Sequence, residues 1–360
     1  MKEFYSGTRI IAGSGAVQAL KDLQIKRLFL VTDPFFAENG VAKRIAEASH
    51  AQAVEIFQDV QPDPSVTLAA EGTARVKAFD PDGIIALGGG SAMDCAKAMA
   101  YFSGSKAKLV AIPTTSGSGS EVTDFAILTH ESVKHPLVDS RLRPEVAILD
   151  DELLQKLPPS LIADAGFDVL AHALEAYVAK NAGAITDALA RDAFCSAYAA
   201  LPASFAGNTG VRLKIHVAAT MAGMAFTQAG LGLCHAMAHS LGGMFHVPHG
   251  RLNAILLPAV VGCNAHKAGD KYAELARAAG LGGSADTVAV RNLKNCLTRL
   301  RTELKLPATL VQAGVEPRQI WYRMDEIVEA TLADPCCSTN PMSVEGFMVR
   351  QVLEEVTGRV

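Results

Sequence analysis

The stretch DGIIALGGGSAMDCAKAMAYF, residues 82–102, decides the fold. Gly83 to Leu87 form a short apolar run without polar alternation, the pattern of a strand buried on both faces. Gly88, Gly89 and Gly90 follow, and from Ser91 the spacing turns helical. A strand running through glycines straight into a helix is the repeating unit of a parallel, doubly wound sheet. Ser91 suits the cap of that helix, and Asp94 stands three residues on, where an acid can reach back to the cap. The N–H groups and the positive end of the helix suit a phosphate anion. The stretch lacks the G-x-G-x-x-G fingerprint, so on its own it reads nearly as well as a ligand-free turn.

The same alternation extends on both sides. Residues 26–33 (KRLFLVTD), 53–60 (AVEIFQDV) and 108–115 (KLVAIPTT) read as strands. Residues 41–50 (VAKRIAEASH) and 68–80 (LAAEGTARVKAFD) read as helices. A second turn, IPTTSGSGSEVT (112–123), carries Thr114, Thr115, Ser118 and Thr123 among glycines and serines. Such a loop can offer several hydrogen bonds to a phosphate, a ribose or an amide. Two turns of this kind at consecutive strand ends would share the carboxyl edge of the sheet, where nucleotides bind. Asp33 closes the first strand. An acid there can accept from a ribose diol and repels a 2′-phosphate, favouring NAD over NADP; a plain turn aspartate before Pro34 reads equally well.

After the double proline at 158–159 the pattern changes to alanine- and leucine-rich helices without strand alternation. The chain of 360 residues therefore reads as an α/β dinucleotide-binding domain, residues 1–155, followed by an all-α domain, residues 156–360. Half the residues are apolar, and charged residues make up 19%, below the roughly 25% usual for soluble domains. Low charge points to wide buried surfaces, a subunit interface among them. A net charge of −4 without a basic run leaves no footprint for nucleic acid or for a lipid surface. Seven cysteines occur with no C-x-x-C pair, so they read as reduced thiols that pack as small apolar residues. The first residues lack the apolar core of a signal peptide, and a cytoplasmic location is expected. Residues 215–250 contain no Asp, Glu, Lys or Arg, but six glycines, Pro248 and five histidines make buried helices a better reading than a membrane span.

Histidines concentrate in this helical half. Asp168 and His172 stand four apart in GFDVLAHALEAY, and His235 and His239 stand four apart in GLGLCHAMAHSLGG. Four residues is about one helical turn, so each pair shares a face. Buried carboxylates and imidazoles are costly unless they are paired or bound to something. Each pair alone reads as a core hydrogen bond. Together they offer enough nitrogen and oxygen donors for one divalent ion, with imidazole suiting iron or zinc. Spacing points to Asp168, His172, His235 and His239 and leaves His246 and His249 open as alternatives.

The segments GGGSAMDCAK, IPTTSGSGSEVT, GFDVLAHALEAY, AGLGLCHAMAHSLGG and VPHGRLNAILLP, in this order, resemble the iron-containing (group III) alcohol dehydrogenases over almost the full length. Within the family the resemblance is nearest to the propanol and ethanol dehydrogenases of propanediol- and ethanolamine-utilisation microcompartments. It implies a dehydroquinate-synthase-like fold and metal-dependent, NAD(H)-linked interconversion of short-chain primary alcohols and aldehydes, with Fe(II) or Zn(II). It implies Asp168, His172, His235 and His249 as metal ligands, and His239 as a catalytic residue for proton transfer. Asp33, Asp63, Gly89, Gly90, Ser91, Thr114, Thr115, Ser118, Thr123 and Lys134 match dinucleotide contacts. Phe125 and Phe226 match positions lining the substrate pocket. A homodimer or larger assembly and association with a bacterial microcompartment are further expectations. The late segment DPCCSTNPM departs from the family pattern, with Met342 where arginine usually follows Asn-Pro. Competing readings are another group III reductase acting on a small functionalised aldehyde or polyol, and a metal-dependent hydrolase, which leaves both glycine-rich turns unexplained.

Overall fold

The computed structural model describes residues 4–131 and 133–358. Its chain divides into two compact units, Tyr5–Leu157 and Pro158–Val360.

The first unit is built on strands β1 (Arg9–Ala12), β2 (Arg27–Val31), β3 (Ala53–Phe57), β4 (Gly83–Gly88) and β5 (Lys108–Pro113), a hairpin β6 (Phe125–His130) and β7 (Val133–Val138), and β8 (Val146–Leu149). Six of them form one sheet in the order β1-β8-β5-β4-β2-β3, all pairs parallel. Helices α1 (Pro34–Glu38), α2 (Val41–Ala48), α3 (Val66–Phe79) and α4 (Gly90–Ser103) connect them. Successive side chains of a strand point to opposite faces. Leu28, Leu30, Ile85, Leu87, Val110 and Ile112 accordingly pack with Val17, Leu20 and Ile45 on one face. Phe29, Val31, Ile84, Ala86, Leu109 and Ala111 pack with Met93, Ala96 and Met99 on the other. Burial on both faces is why these strands read as unbroken apolar runs.

The chain goes from β2 outward to β3, then crosses back to β4 on the other side of β2. The strand order therefore reverses between β2 and β4, the kind of switch point at whose carboxyl end ligands bind. Gly88 ends β4 at φ +150°, and a Cβ there would stand 2.6 Å from the Ala92 Cβ, so the turn requires glycine.

Two readings of the turn are corrected. Helix α4 begins at Gly90 with Gly89 as its cap, two residues before the expected cap Ser91, and no side chain caps it. Asp94 does not reach back to the cap. Its carboxylate accepts from the Ser120 hydroxyl (2.8 Å) and the Ile127 N–H (3.2 Å), because the second turn folds over α4 and brings these donors to it.

The second unit contains α5 (Pro159–Val178), α6 (Ala184–Phe205), α7 (Arg212–Ala229), α8 (Leu233–Phe245), α9 (His249–Ala278), α10 (Asp286–Glu303), α11 (Pro317–Tyr322), α12 (Met324–Ala333), α13 (Cys336–Thr339) and α14 (Gly346–Thr357). Among the described residues no strand follows β8, as the sequence pattern implies. Helix α5 is buried without a break from Gly166 to Val178. Gly250, in the first turn of α9, lies so close to α5 that a Cβ would stand 2.0 Å from the Asp164 carbonyl oxygen. Pro258 sits inside α9 and has no N–H for the Ala254 carbonyl. Buried Arg301 of α10 turns its Nη1 to the Ala254 and Ile255 carbonyls instead, at 3.4 and 3.5 Å. No single described helix is long and apolar enough to cross a membrane; α8 and the segment Thr209–Ala229 pass that test only together, bent by 103°.

Candidate functional site

In the helical unit the four donors named by the family resemblance come from three helices. Asp168 and His172 lie one turn apart on α5, His235 sits in the first turn of α8, and His249 opens α9 after Pro248. Asp168 Oδ1 stands 3.9 Å from His172 Nε2, 3.7 Å from His235 Nε2 and 3.4 Å from His249 Nε2. Asp168, His235 and His249 each place a donor atom within 4.8 Å of the other two. His172 lies at the margin of this trio, its ring stacked between those of His235 and Phe226, with both centroids at 4.5 Å.

These separations fit a metal ion. Four donors, each about 2.1 Å from one tetrahedral ion, stand roughly 3.4 Å apart. The gaps from Asp168 to His172 and His235 are too long for hydrogen bonds, yet these buried atoms face one another. Burial pulls the Asp168 carboxyl up, but the facing imidazoles of His172 and His235 outweigh it and hold the group well below the usual range, so it is ionised. Burial pushes His249 well below its ordinary value, leaving a neutral imidazole. Burial also pulls on His235, but Asp168 and Glu175 outweigh it and raise its pKa to about 9.

Two residues that the sequence reading missed hold the donors in place. Glu175, on α5 and 2% exposed, accepts from His235 Nδ1 at 2.6 Å. The same carboxylate takes the backbone N–H groups of Gly232, Cys234 and His235 at 3.1, 2.7 and 3.2 Å, closing the otherwise uncapped start of α8. With Nδ1 so engaged, His235 presents Nε2 inward. Asn253, one turn after His249 and fully buried, donates Nδ2 to Asp168 Oδ1 at 2.8 Å and lies 3.3 Å from Nε2 of both His235 and His249. The signals were present: Asp168, His172 and Glu175 follow i, i+4, i+7 spacing, and Asn253 is i+4 from His249.

His239 stays in this neighbourhood, its ring stacked on His249 with centroids 5.2 Å apart. His246 does not: it is the exposed C-terminal cap of α8 at φ +55°, with its N–H on the Gly242 carbonyl. Phe226 is 4% exposed and packs on His172.

In the α/β unit the two turns meet at the carboxyl edge. Thr114 N–H donates to the Gly88 carbonyl at 2.9 Å, Thr115 borders Gly89, and Ser118 borders Gly90. Asp33 caps α1 through Oδ1, which accepts the Phe36 N–H, while Oδ2 faces Gly88. Asp33, Gly89, Gly90, Ser91, Thr115 and Ser118 therefore cluster at the switch point beside the start of α4. Asp63 and Lys134 pair with each other at 2.7 Å, where Ser65 bridges to Thr129 of β6. Thr123 is fully buried and bound to Lys97. Lys97, also missed from sequence, sends its buried ammonium to Ser120 Oγ, Thr123 Oγ1 and the Phe125 carbonyl, each at 2.9 Å. Burial lowers its pKa to about 8 despite the nearby acids. It fastens the second turn to α4. The Phe125 ring lies 5.9 Å from the Lys97 ammonium.

Comparison with known proteins bears on both units. Residues 7–151 match the family described as iron-containing alcohol dehydrogenase, and residues 162–357 match its C-terminal domain. The chain is 40% identical to a 1-propanol dehydrogenase, PduQ, of Citrobacter freundii, covering 99% of this chain and all of that one. It is 36% identical to an NADPH-dependent butanol dehydrogenase of Clostridium saccharobutylicum, over 98% of this chain and 97% of the other. An iron-containing alcohol dehydrogenase from Thermococcus thioreducens superposes with a TM-score of 0.90 at 33% identity, covering 98% and 99% of the two chains. A sulfoacetaldehyde reductase from Bifidobacterium kashiwanohense, solved in complex with NAD+, gives 0.88 at 27% identity over 98% of each chain.

Proposed function

The chain belongs to the iron-containing alcohol dehydrogenase family, whose members include alcohol dehydrogenases and aldehyde reductases, and we propose that it interconverts short-chain primary alcohols and aldehydes, of the 1-propanol/propanal and ethanol/acetaldehyde type, with NAD(H). The observation that carries this reading is the convergence of Asp168, His172, His235 and His249, with Glu175 and Asn253 fixing their orientation. Fe(II) or Zn(II) would be held by these four residues; when bound, the ion supplies Lewis acidity toward a substrate oxygen, and the dinucleotide supplies the hydride chemistry. The residues themselves do the rest. Glu175 sets the tautomer of His235, and Asn253 fixes Asp168. His239 takes the hydroxyl proton of the alcohol, or returns it in the reductive direction.

Asp33 supports NAD over NADP, since its carboxylate at the switch point repels a 2′-phosphate. The start of α4 and the hydroxyls of Thr115 and Ser118 suit the pyrophosphate, and the Asp63–Lys134 pair the adenine side. Phe125 and Phe226 remain our candidates for the substrate pocket. A homodimer or larger assembly in the cytoplasm, associated with a bacterial microcompartment, belongs to the same proposal. Its support is the full-length similarity to PduQ.

The deciding experiment is anaerobic reduction of NAD by 1-propanol, using chelated protein reconstituted with Fe(II) or Zn(II), beside His249→Ala. The expected result is metal-dependent NADH formation, weaker with NADP and lost in the variant. Tight metal binding with no turnover of any alcohol or aldehyde, in either direction, would sink the proposal.

A further inference from the structure

Behind His239 stands a second carboxylate. His239 Nδ1 lies 2.9 Å from Asp334 Oδ2, and both side chains are largely shielded, at 26% and 14% exposure. The other carboxylate oxygen, Oδ1, accepts the Cys336 N–H at 2.8 Å. Asp334 is therefore held from two sides. It lies in a segment, residues 334–340, that grips α8 at both ends of its first two turns. Fully buried Asn340 accepts the Leu233 N–H at 3.1 Å and exchanges two hydrogen bonds with Asn264, at 2.9 and 3.0 Å. Thr339 Oγ1 donates to the Leu231 carbonyl at 2.7 Å, and Thr331, on α12 just before the segment, reaches Ser240 at 3.2 Å. Met342 lies two residues beyond this segment, whose attachment to α8 and the turn before it runs through Asp334, Thr339 and Asn340.

We propose that Asp334 is a positioning residue that keeps the proton of His239 on Nδ1, so that Nε2 carries the lone pair that receives the substrate's hydroxyl proton. The inference deepens the dehydrogenase reading and rests on it. An ionised carboxylate only accepts hydrogen bonds, so a 2.9 Å contact with Nδ1 requires the hydrogen to sit on that nitrogen. In the neutral ring the second nitrogen is then bare. When the alcohol O–H bond breaks, an Nε2–H bond forms, Nδ1 keeps its hydrogen, and Asp334 stays ionised beside the imidazolium. The proton leaves Nε2 for solvent before the next turnover. A carboxylate holding an imidazole in this way steers its tautomer without itself touching the substrate.

The test uses the Zn(II)-loaded protein with 15N-labelled histidine, with His239 assigned by its loss in His239→Gln. Nitrogen shifts of a protonated Nδ1 and a bare Nε2 in the wild type support the proposal, and a protonated Nε2 overturns it whatever any variant does. Asp334→Asn can turn an amide N–H toward Nδ1, so it is expected to shift His239 toward the Nε2–H form. It is also expected to lower kcat by about 10²-fold or more, with KM and metal content nearly unchanged. Asp334→Glu is expected to recover part of the loss. If Asp334→Asn loses metal or melts early in proportion to its loss of activity, the residue only anchors its segment and the proposal falls. If the wild type turns over no alcohol, the dehydrogenase reading fails on that ground, while the nitrogen shifts still decide the tautomer.

Discussion

Glu175 and His235 meet at 2.6 Å between Oε2 and Nδ1, at a point where each residue is 2% exposed or less. The glutamate is thus at once the outer partner of a metal-site imidazole and the cap of the helix that carries it. Glu175→Gln keeps the size but replaces one acceptor with a donor facing several N–H groups. Metal affinity is expected to fall roughly 10- to 100-fold, the usual cost of losing such an outer partner. Competition with a chelator measures it, and unchanged affinity would show that the carboxylate serves α8 alone.

Asp33 can be probed without losing its cap on α1, because serine caps about as well as aspartate. Asp33→Ser is expected to shift the ratio of kcat/KM for NAD over NADP toward NADP by at least about tenfold, equivalent to about 1.4 kcal/mol of relieved repulsion. Steady-state kinetics with both dinucleotides gives the ratio directly. An unaltered ratio would place the ribose elsewhere.

Lys97 gives the fold a pH dependence with a defined sign. Burial lowers its pKa to about 8, below its ordinary value of 10.5. Between these values the unfolded chain binds the proton that the folded chain has released, so stability rises with pH across the window. The full effect is roughly 3 kcal/mol, from about 1.36 kcal/mol per pKa unit. Urea unfolding of wild type and Lys97→Met at pH 8 to 10.5 should show the wild type gaining on the variant, and parallel curves would exclude a depressed Lys97.

Gly250→Ala places a methyl group 2.0 Å from the Asp164 carbonyl oxygen, which belongs to rigid helix backbone. The expected cost is about 1–3 kcal/mol of stability from overpacking, together with loss of metal as His249 moves away from Asp168. Unfolding midpoints and bound-metal analysis report the two effects separately. Full metal occupancy in a stable variant would mean that α9 does not depend on this approach.

How much of this could be read from the chain follows from which forces act locally. Strands β2, β4 and β5 are buried on both faces and announce themselves as apolar runs. Strands β1 and β8 span four residues each, too short a run to stand out. The β6–β7 hairpin hid behind the glycine- and serine-rich turn that precedes it, although FAILTH alternates buried and open positions as a half-covered strand should. In the helical unit, Asp168 with His172 and His235 with His239 stood out through helical spacing. That spacing could not choose between His239 and His249, because the approach of α9 to α5 is a tertiary fact. Family resemblance pointed to His249, and the geometry sets it 3.4 Å from Asp168. Asp334, 95 positions beyond its histidine, had no local signal at all.

The proline inside α9 has a genetic consequence. Arg301 turns to the Ala254 carbonyl that Pro258 leaves open, and to the Ile255 carbonyl beside it. An ordinary residue at 258 would close the helix on itself and strand a buried cation, whereas losing Arg301 first would leave the Ala254 carbonyl unanswered in the core. Each step is harmful alone and softened by the other. The two positions are therefore expected to be epistatic, with descendants of this chain keeping both residues or exchanging both, so that a proline in one helix constrains which alleles survive in the next.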